Sequence, residues 1–406
     1  MFALDSTNGA LVADPSRLYA QLREAGDVVA LEGENLFAVA SHAAVLEVLS
    51  RPQEFSSRAA NQPVAGQVAS PEADAIRAHG LPAVPVLLTA DPPDHTRHRR
   101  LVQAAFSRRR VDQLANAIEE ITQRLLGTCP ATGHLELRRS LAEPLPLHMI
   151  AGALGLPTDD IGKIHSWSDA VVARIGRVLT ADQQVEVARQ NFELQDYLGA
   201  AIERRRTQPE DDLLTDIVQA EQDENDSLSP AQVMGILEQV LVAGNETATR
   251  TIVFTLHRMA IDPDLQARLR ARPEDIPNVI EEVLRLESPV QSKIRVATRA
   301  SHVGRAEVPA GAHLVVLLAA ANRDPAVFPM PDVLDPDRPN VSDHLAFSRG
   351  AHFCVGAALA RAEIAIAVRA LLERYRDIRL SPDHPAPVYE PSLVHRGLVQ
   401  LDLVVA

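Results

Sequence analysis

One thiol is singled out by its neighbours. Cys354 lies in the stretch AFSRGAHFCVGAALA, residues 346–360, and is one of two cysteines, with Cys129, in a chain of 406 residues. Gly350 stands four residues before it and Gly356 two after, and AALARAEIAIAVRALLERY continues as a helix-forming run. Glycine allows tight turns and close approach of the backbone to a flat ligand. A thiol at a helix N-terminus meets free N–H groups and the positive end of the helix dipole, both of which favour the thiolate. Two readings stay open on the residues alone. Cys354 is a small buried hydrophobe, or it is a thiolate serving as nucleophile or metal ligand.

Three further groups carry chemistry by type and spacing. AGNET, residues 243–247, places Glu246 and Thr247 next to each other in a long apolar helical run, with Ala243 and Gly244 before them. A threonine there can bond the carbonyl four residues back and open the helix locally, and a carboxylate beside a hydroxyl can relay protons. The alternative is a solvated carboxylate and a tolerated helical threonine. Glu282 and Arg285, in EVLR, are three apart and share a helix face. His95 and Arg99 are four apart and also share a face. Counting back from Thr247 brings Ala243, Val242 and Gln239 to roughly one side of the helix, where Gln239 would offer a hydrogen bond to a substrate oxygen.

A lone thiolate is a poor zinc or iron–sulfur site, whereas haem iron needs one axial protein ligand. FSRGAHFCVG resembles the haem-binding signature of the cytochrome P-450 family, with Phe347, Gly350, His352, Cys354 and Gly356 at its fixed positions. AGNET is similar to that family's oxygen-activation motif, and EVLR with the later Arg338 is similar to its buried acid–base triad. His95, Arg99, Arg295 and His352 match residues that hold the haem propionates. The resemblance covers nearly the whole chain from about Asp14. It departs in having Glu246 where Asp is commoner, Ala248 where a second Thr is common, and no acid after Arg299.

The resemblance implies haem b (iron protoporphyrin IX), with Cys354 as the iron ligand. Glu246 and Thr247 would supply protons, while Glu282, Arg285 and Arg338 would hold the fold. The implied reaction inserts one oxygen atom from O2 into a C–H or C=C bond of a small apolar substrate. Electrons would come from a separate ferredoxin and ferredoxin reductase. An arginine cluster, residues 107–110 with Arg349 and Arg361, would form the docking face. Val242, Ala243, Val290 and Ile294 would line the substrate pocket beside Gln239. Trp167, Phe192 and Tyr197 are read as core, with a contribution to selectivity as the other possibility. The same fold also runs peroxygenase, dehydratase or isomerase chemistry, and a haem-based sensor or carrier without turnover is the reading of a different class.

These residues need a scaffold, and the pattern predicts a mainly α fold with small β-sheets. The haem would lie between a long central helix and the Cys-bearing helix. Ser229 is a natural cap before Pro230, and no breaker follows until Asp262-Pro263, which predicts a helix of about 31 residues. DVVALEGENLFAVAS from Asp27 reads as a β-hairpin in a β-richer N-terminal part, about 1–60. Residues 56–90 read as a long substrate loop with one short helix. The run from Thr96 to about Arg206 reads as helical, with breaks near 130–133, 144–146, Pro157 and Thr180. Short strands are expected over 294–317, and five prolines keep 322–340 out of helix and sheet. The long helix argues for one domain over 1–406.

Bulk composition bounds the partners. Hydrophobic residues make up 46% and charged residues 23%, and the net charge is −14. That balance disfavours nucleic acid. The N-terminus lacks a signal-peptide pattern, and the longest apolar stretch is too short to span a bilayer. A cytoplasmic monomer is expected, without a membrane anchor.

Overall fold

The structure is a computed structural model and describes residues 9–58, 68–176, 178–220, 227–383, 386–392 and 394–406. Part of the expected substrate loop, residues 59–67, and Leu393 of the C-terminal loop lie outside the described residues. Helices dominate and three small sheets accompany them. The chain groups into two compact units. One comprises Met1–Ser56, Val111–Pro146 and Thr247–Ala406, and the other Ser57–Arg110 and Leu147–Glu246.

The first unit holds all the sheets. The strands are β1 (Val29–Ala30), β2 (Leu36–Val39), β3 (Phe55–Ser56), β4 (Gly133–Glu136), β5 (Ser292–Ala297), β6 (Ser301–Val303), β7 (Ala306–Val308), β8 (His313–Leu317), β9 (Ile378–Leu380) and β10 (Asp402–Val405). The five-stranded sheet runs β1-β2-β8-β5-β3, and the expected hairpin is its β1–β2 edge. Its centre, β8, is buried on both faces. Leu314 and Val316 enter a cluster with Val39, Val45, Phe55 and Leu345. Val315 and Leu317 enter another with Tyr19, Leu22 and Ala38. That alternation is the period of two of a strand. β10 pairs with β4 and β9, so the segment after the break at 130–133 is a strand rather than helix.

The second unit is helical. Helix Ala181–Thr207 packs on Pro71–Arg77, Ile161–Gly176 and Leu213–Ala220. A capping box starts it: the Thr180 hydroxyl accepts from Gln183 N at 3.2 Å, and the Gln183 side chain accepts from Thr180 N at 2.9 Å. Arg205, on its last turn, donates to Asp212 Oδ2 at 2.7 Å and to the Gly155 carbonyl at 3.0 Å. The expected break near 144–146 falls at Glu143, between the π-helical segment Arg138–Ala142 and helix Pro144–Ala153, which proline can begin because the first turn's N–H groups need no helical partner.

The long helix is Pro230–Ile261, 32 residues, or about 48 Å. Ser229 caps it, accepting from Gln232 N at 3.3 Å while the Gln232 side chain accepts from Ser229 N at 2.9 Å. The boundary between the units falls inside it, between Glu246 and Thr247. Residues 322–340 contain neither helix nor strand, as their prolines require.

Candidate functional site

The turn before Cys354 is built by backbone conformations that few residues tolerate. Ser348 has φ +61° and Gly350 φ +67°. A side chain at Gly350 would place its Cβ 2.6 Å from the Leu49 carbonyl oxygen. Glycine is therefore required twice over, by φ and by space. Cys354 N donates to the Phe347 carbonyl at 2.9 Å and Phe353 N to Gly350 at 3.1 Å. The turn delivers Cys354 three residues ahead of helix Ala357–Arg374. Cys354 is exposed, and Phe353, Val355 and Gly356 beside it are half-buried. Cysteine is usually a buried type, so a surface left open at this one is the first sign that the chain does not complete the site. Gly356 is the second, since a Cβ there meets nothing within 4 Å. The protein's own packing gives no reason for glycine at that position, and a flat ligand lying on it does. Among the described residues no group of three or more His, Cys, Asp or Glu could hold a metal ion.

Phe347 is held from one side. The Arg361 guanidinium lies 4.4 Å above its ring centroid and donates to Glu281 at 2.6 and 2.7 Å. Glu281 also pairs with His344 Nε2 at 2.9 Å. Burial would raise the Glu281 carboxyl, but these donors outweigh it and hold it at about 2. Arg361 thus braces the cysteine turn rather than standing free in a docking cluster. Arg349 donates to the Ser342 carbonyl at 3.0 Å, and the exposed Arg108–Arg110 belong to the other unit, with one long pair, Arg110–Asp211 at 3.8 Å.

The expected acid–base triad is present and buried. Arg285 Nε and Arg338 Nε each donate to Glu282 Oε1 at 2.7 Å, and Arg285 Nη2 donates to Oε2 at 2.9 Å. Asp335 N supplies a fourth bond to Glu282. The remaining guanidinium hydrogens go to backbone carbonyls of the proline-rich segment, including Pro331 at 2.6 Å and Pro329 at 2.8 Å. A chain stretch that cannot form its own ladder is thereby fixed by side chains.

On the long helix, Glu246 is only 5% exposed, so it is not a solvated carboxylate. Accessible positions recur every four residues, at Gly235, Gln239, Ala243 and Thr247, on a helix otherwise largely buried. One face is thus left open through the AGNET stretch. The resemblance implies a haem contact for Gly244, and a Cβ there would also lie 2.8 Å from Ile150, so helix packing favours glycine as well. The helix runs unbroken through residues 243–247. The Thr251 hydroxyl donates to the Thr247 carbonyl at 2.8 Å. Gln239 is already engaged, its carbonyl oxygen accepting from Leu88 N at 2.9 Å and its amide lying 3.5 Å from Thr89 Oγ1. Val242 is buried.

The other expected contacts divide between the units. His95 is buried and Arg99 half-buried on helix Asp94–Gln103 of the second unit. Arg295, on β5 of the first, is buried, and its Nη1 donates to the Ile294 carbonyl at 2.8 Å. His352 ends the short 3₁₀ turn Gly350–His352. Ile294 packs on the opposite face of the sheet from Arg295, with the Tyr19 cluster, and Val290 bridges to His395. In the second unit Trp167 is buried, donating to Glu193 at 3.1 Å and packing on Tyr197. Phe192 is 38% exposed and is not core.

Two clusters escaped the sequence reading. Glu390 accepts from Arg250 Nη2 at 2.8 Å and Arg138 Nη1 at 3.0 Å, and Arg138 Nε pairs with Glu143 at 2.6 Å. Arg396 pairs with Glu287 at 3.3 Å and lies 4.0 Å over the Tyr389 ring. Together they clamp both arms of the C-terminal hairpin, whose tip is tied to the segment after helix Ile276–Glu287 by Gln291 N to Val394 O at 2.8 Å. The only local signal was EPSLVHRG itself, since the partners lie far away in sequence.

Comparison with known proteins agrees with this arrangement. The Cytochrome P-450 family model matches residues 175–272 and 276–402. The cytochrome P-450 monooxygenase PikC of Streptomyces venezuelae is 35% identical over 399 residues, 96% of this chain and 91% of that one. The 6-deoxyerythronolide B hydroxylase of Saccharopolyspora erythraea is 34% identical over 313 residues, 77% of this chain and 76% of that one. Among solved structures, ligand-free CYP164A2 of Mycobacterium smegmatis matches with TM-score 0.86 at 34% identity over 98% of both chains. CYP109E1 of Bacillus megaterium in complex with testosterone matches with TM-score 0.82 at 32% identity, over 96% of this chain and 97% of that one. The exposed thiol in its glycine-bounded turn, the buried Glu282 triad and these matches along the chain have one meaning: the protein belongs to the cytochrome P-450 family of haem b monooxygenases.

Proposed function

We propose that Cys354 would hold the iron of haem b through its sulfur and that residues 1–406 act as one monooxygenase domain on a small apolar substrate. When bound, the haem supplies O2 activation and transfer of one oxygen atom to a C–H or C=C bond. The chain's share is to hold, shield and feed protons. Cys354 donates electron density through sulfur, tuned by the surrounding backbone N–H groups. Arg295 and His352 would hold haem propionates as charge-assisted donors, the role the resemblance also implies for His95 and Arg99. Glu246 would hold a proton on a carboxylate oxygen and pass it to Thr247 Oγ1. Ala243 and Val290 line the apolar side of the substrate.

The observation that carries this reading is the exposed Cys354 in a turn that Gly350 makes possible. The apolar substrate is supported by a relative named as a 6-deoxyerythronolide B hydroxylase and by a structural neighbour solved in complex with testosterone. A ferredoxin and its reductase deliver the electrons, and the exposed Arg108–Arg110 suit an acidic donor. The protein works as a cytoplasmic monomer. Among the described residues no helix is long and apolar enough to cross a membrane.

The test is the spectrum of dithionite-reduced protein with carbon monoxide. A strongly red-shifted Soret band marks thiolate ligation, and Cys354→Ser abolishes it. Well-folded protein without a haem signal overturns the reading.

A further inference from the structure

Glu238 is a carboxylate outside the proton relay and the buried ion-pair clusters. It is half-buried on helix Pro230–Ile261, next to Gln239 and one turn after the accessible Gly235. Gln195, on helix Ala181–Thr207, aims its amide at it: Nε2 donates to Glu238 Oε1 at 2.9 Å. The amide cannot turn round, because its own oxygen accepts from Leu81 N at 2.8 Å. Gly80 allows that approach, since a Cβ there would clash with Gln195 Oε1. Gln195 therefore offers Glu238 only donors, and Glu238 is held as an acceptor. All of these residues belong to the second unit.

One amide is little compensation for a charge held there. Burial raises the Glu238 carboxyl above its ordinary range, against the Gln195 amide and the Arg174 charge, which lower it. Arg174, on helix Ile161–Gly176, is half-buried and acts only from a distance. Among the described residues neither it nor Glu238 has an ion pair. Oε2 of Glu238 accepts no hydrogen bond among the described residues, yet it is not fully enclosed. The surroundings are apolar. Met234, Leu237, Leu241 and Val242 on the neighbouring turns are buried, and Leu81 and Phe192, beside Gln195, expose hydrophobic surface.

A desolvated carboxylate with one neutral donor gains most from a cation at its open oxygen. Among the described residues none is in contact with it. We propose that Glu238 is a specificity-determining residue whose Oε2 takes the ammonium end of an otherwise apolar substrate. A few fixed polar groups in an apolar site are what orient a ligand. Glu238 stands eight residues before Glu246 on one continuous helix, about 12 Å along its axis. A substrate anchored there presents for oxidation a carbon well removed from its charge. The proposal rests on the haem reading above and narrows the apolar substrate class to amines with a long apolar body.

Holoprotein of the parent, Glu238→Gln and Glu238→Leu is titrated with dodecyltrimethylammonium and with 1-dodecanol below micellar concentration, and Soret shifts are recorded. The quaternary nitrogen has no lone pair to bind iron, so the comparison reads the charge. Glutamine keeps the size and the oxygen that Gln195 bonds, and leucine suits the apolar neighbours, so either neutral variant gives the reading if the other fails to fold. The parent is expected to bind the cation about tenfold more tightly than the alcohol, and the preference should disappear in the neutral variants. A parent without that preference, or a preference that persists in a folded neutral variant, overturns the assignment while the red-shifted carbon monoxide band stands. A parent without that band overturns the haem reading and this proposal together.

Discussion

Arg338 Nε donates to Glu282 Oε1 at 2.7 Å across 56 positions of sequence, in a place where Glu282 is fully buried. The contact closes the proline-rich segment onto helix Ile276–Glu287. Glu282 accepts from both guanidiniums, so removing it leaves two buried cations without their anion. Glu282→Gln is expected to destabilise the protein by about 3–5 kcal/mol, the usual cost of breaking a buried ion pair from one side. Thermal melting and the yield of haem-loaded protein measure it. A melting temperature within error of the parent would mean that the triad is not what fixes this segment.

Gly350→Ala tests the cysteine turn. Its Cβ must displace the Leu49 carbonyl, and its φ of +67° is unfavourable for alanine. A cost of about 1–3 kcal/mol is expected. The displaced turn should also weaken the red-shifted carbon monoxide band relative to total haem. Gly356→Ala is the informative contrast, because the protein itself has room there. It should fold as well as the parent yet bind haem less tightly.

Glu363 and Glu390 give stability opposite slopes against pH. Burial pushes the Glu363 carboxyl up to about 8 from its ordinary 4.5, and its Oε1 has no hydrogen bond. Between those values the unfolded chain has lost a proton that the folded chain keeps, so stability falls as pH rises. Glu363→Gln should therefore melt higher than the parent at pH 7.5, with the gain shrinking towards pH 4.5. For Glu390, burial is outweighed by Arg250 and Arg138, which hold the carboxyl at about 2. Its contribution is complete above pH 4.5 and is lost as pH falls towards 2. Glu390→Gln should melt lower than the parent at neutral pH, and the difference should narrow in acid. Melting curves across pH decide both, and a Glu363→Gln gain independent of pH would contradict the buried neutral carboxyl.

What the sequence made legible was local. Ser229 with Pro230 marks a helix start because capping acts over three residues, and the glycines about Cys354 mark a turn for the same reason. What it hid was distant. β4 reads as the end of a helical run because its partner β10 lies more than 250 residues on, and strand pairing leaves little local trace there. Arg250 reads as one more helical arginine until Glu390 meets it. Gly244 carries no local mark that Ile150, nearly a hundred residues earlier, claims the space beside it.

Glu246 separates proton delivery from binding. The side chain is buried and adjoins Thr247 on a continuous helix. Glu246→Gln keeps its size and removes the acid. Product formation is expected to fall about 10²-fold or more, the range for a lost general acid or base. Haem content and the substrate-induced Soret shift should stay at parent values. A matching loss of substrate affinity would instead assign Glu246 to binding.

Electron delivery should depend on the exposed Arg109 and Arg110 and not on Arg361. The first two project from the start of helix Arg108–Gly127, where Arg110 has only a long pair with exposed Asp211. Arg361 is committed to Glu281 and the Phe347 ring. Charge steering depends on free surface charge and weakens with salt. Reversing Arg109 and Arg110 to Glu should slow ferredoxin-driven turnover several-fold at low salt and flatten its salt dependence. Arg361→Ala should instead lower the melting temperature and leave the salt dependence in place. Stopped-flow reduction by ferredoxin over a salt series distinguishes the two, and unchanged kinetics in the double reversal would place the docking face elsewhere.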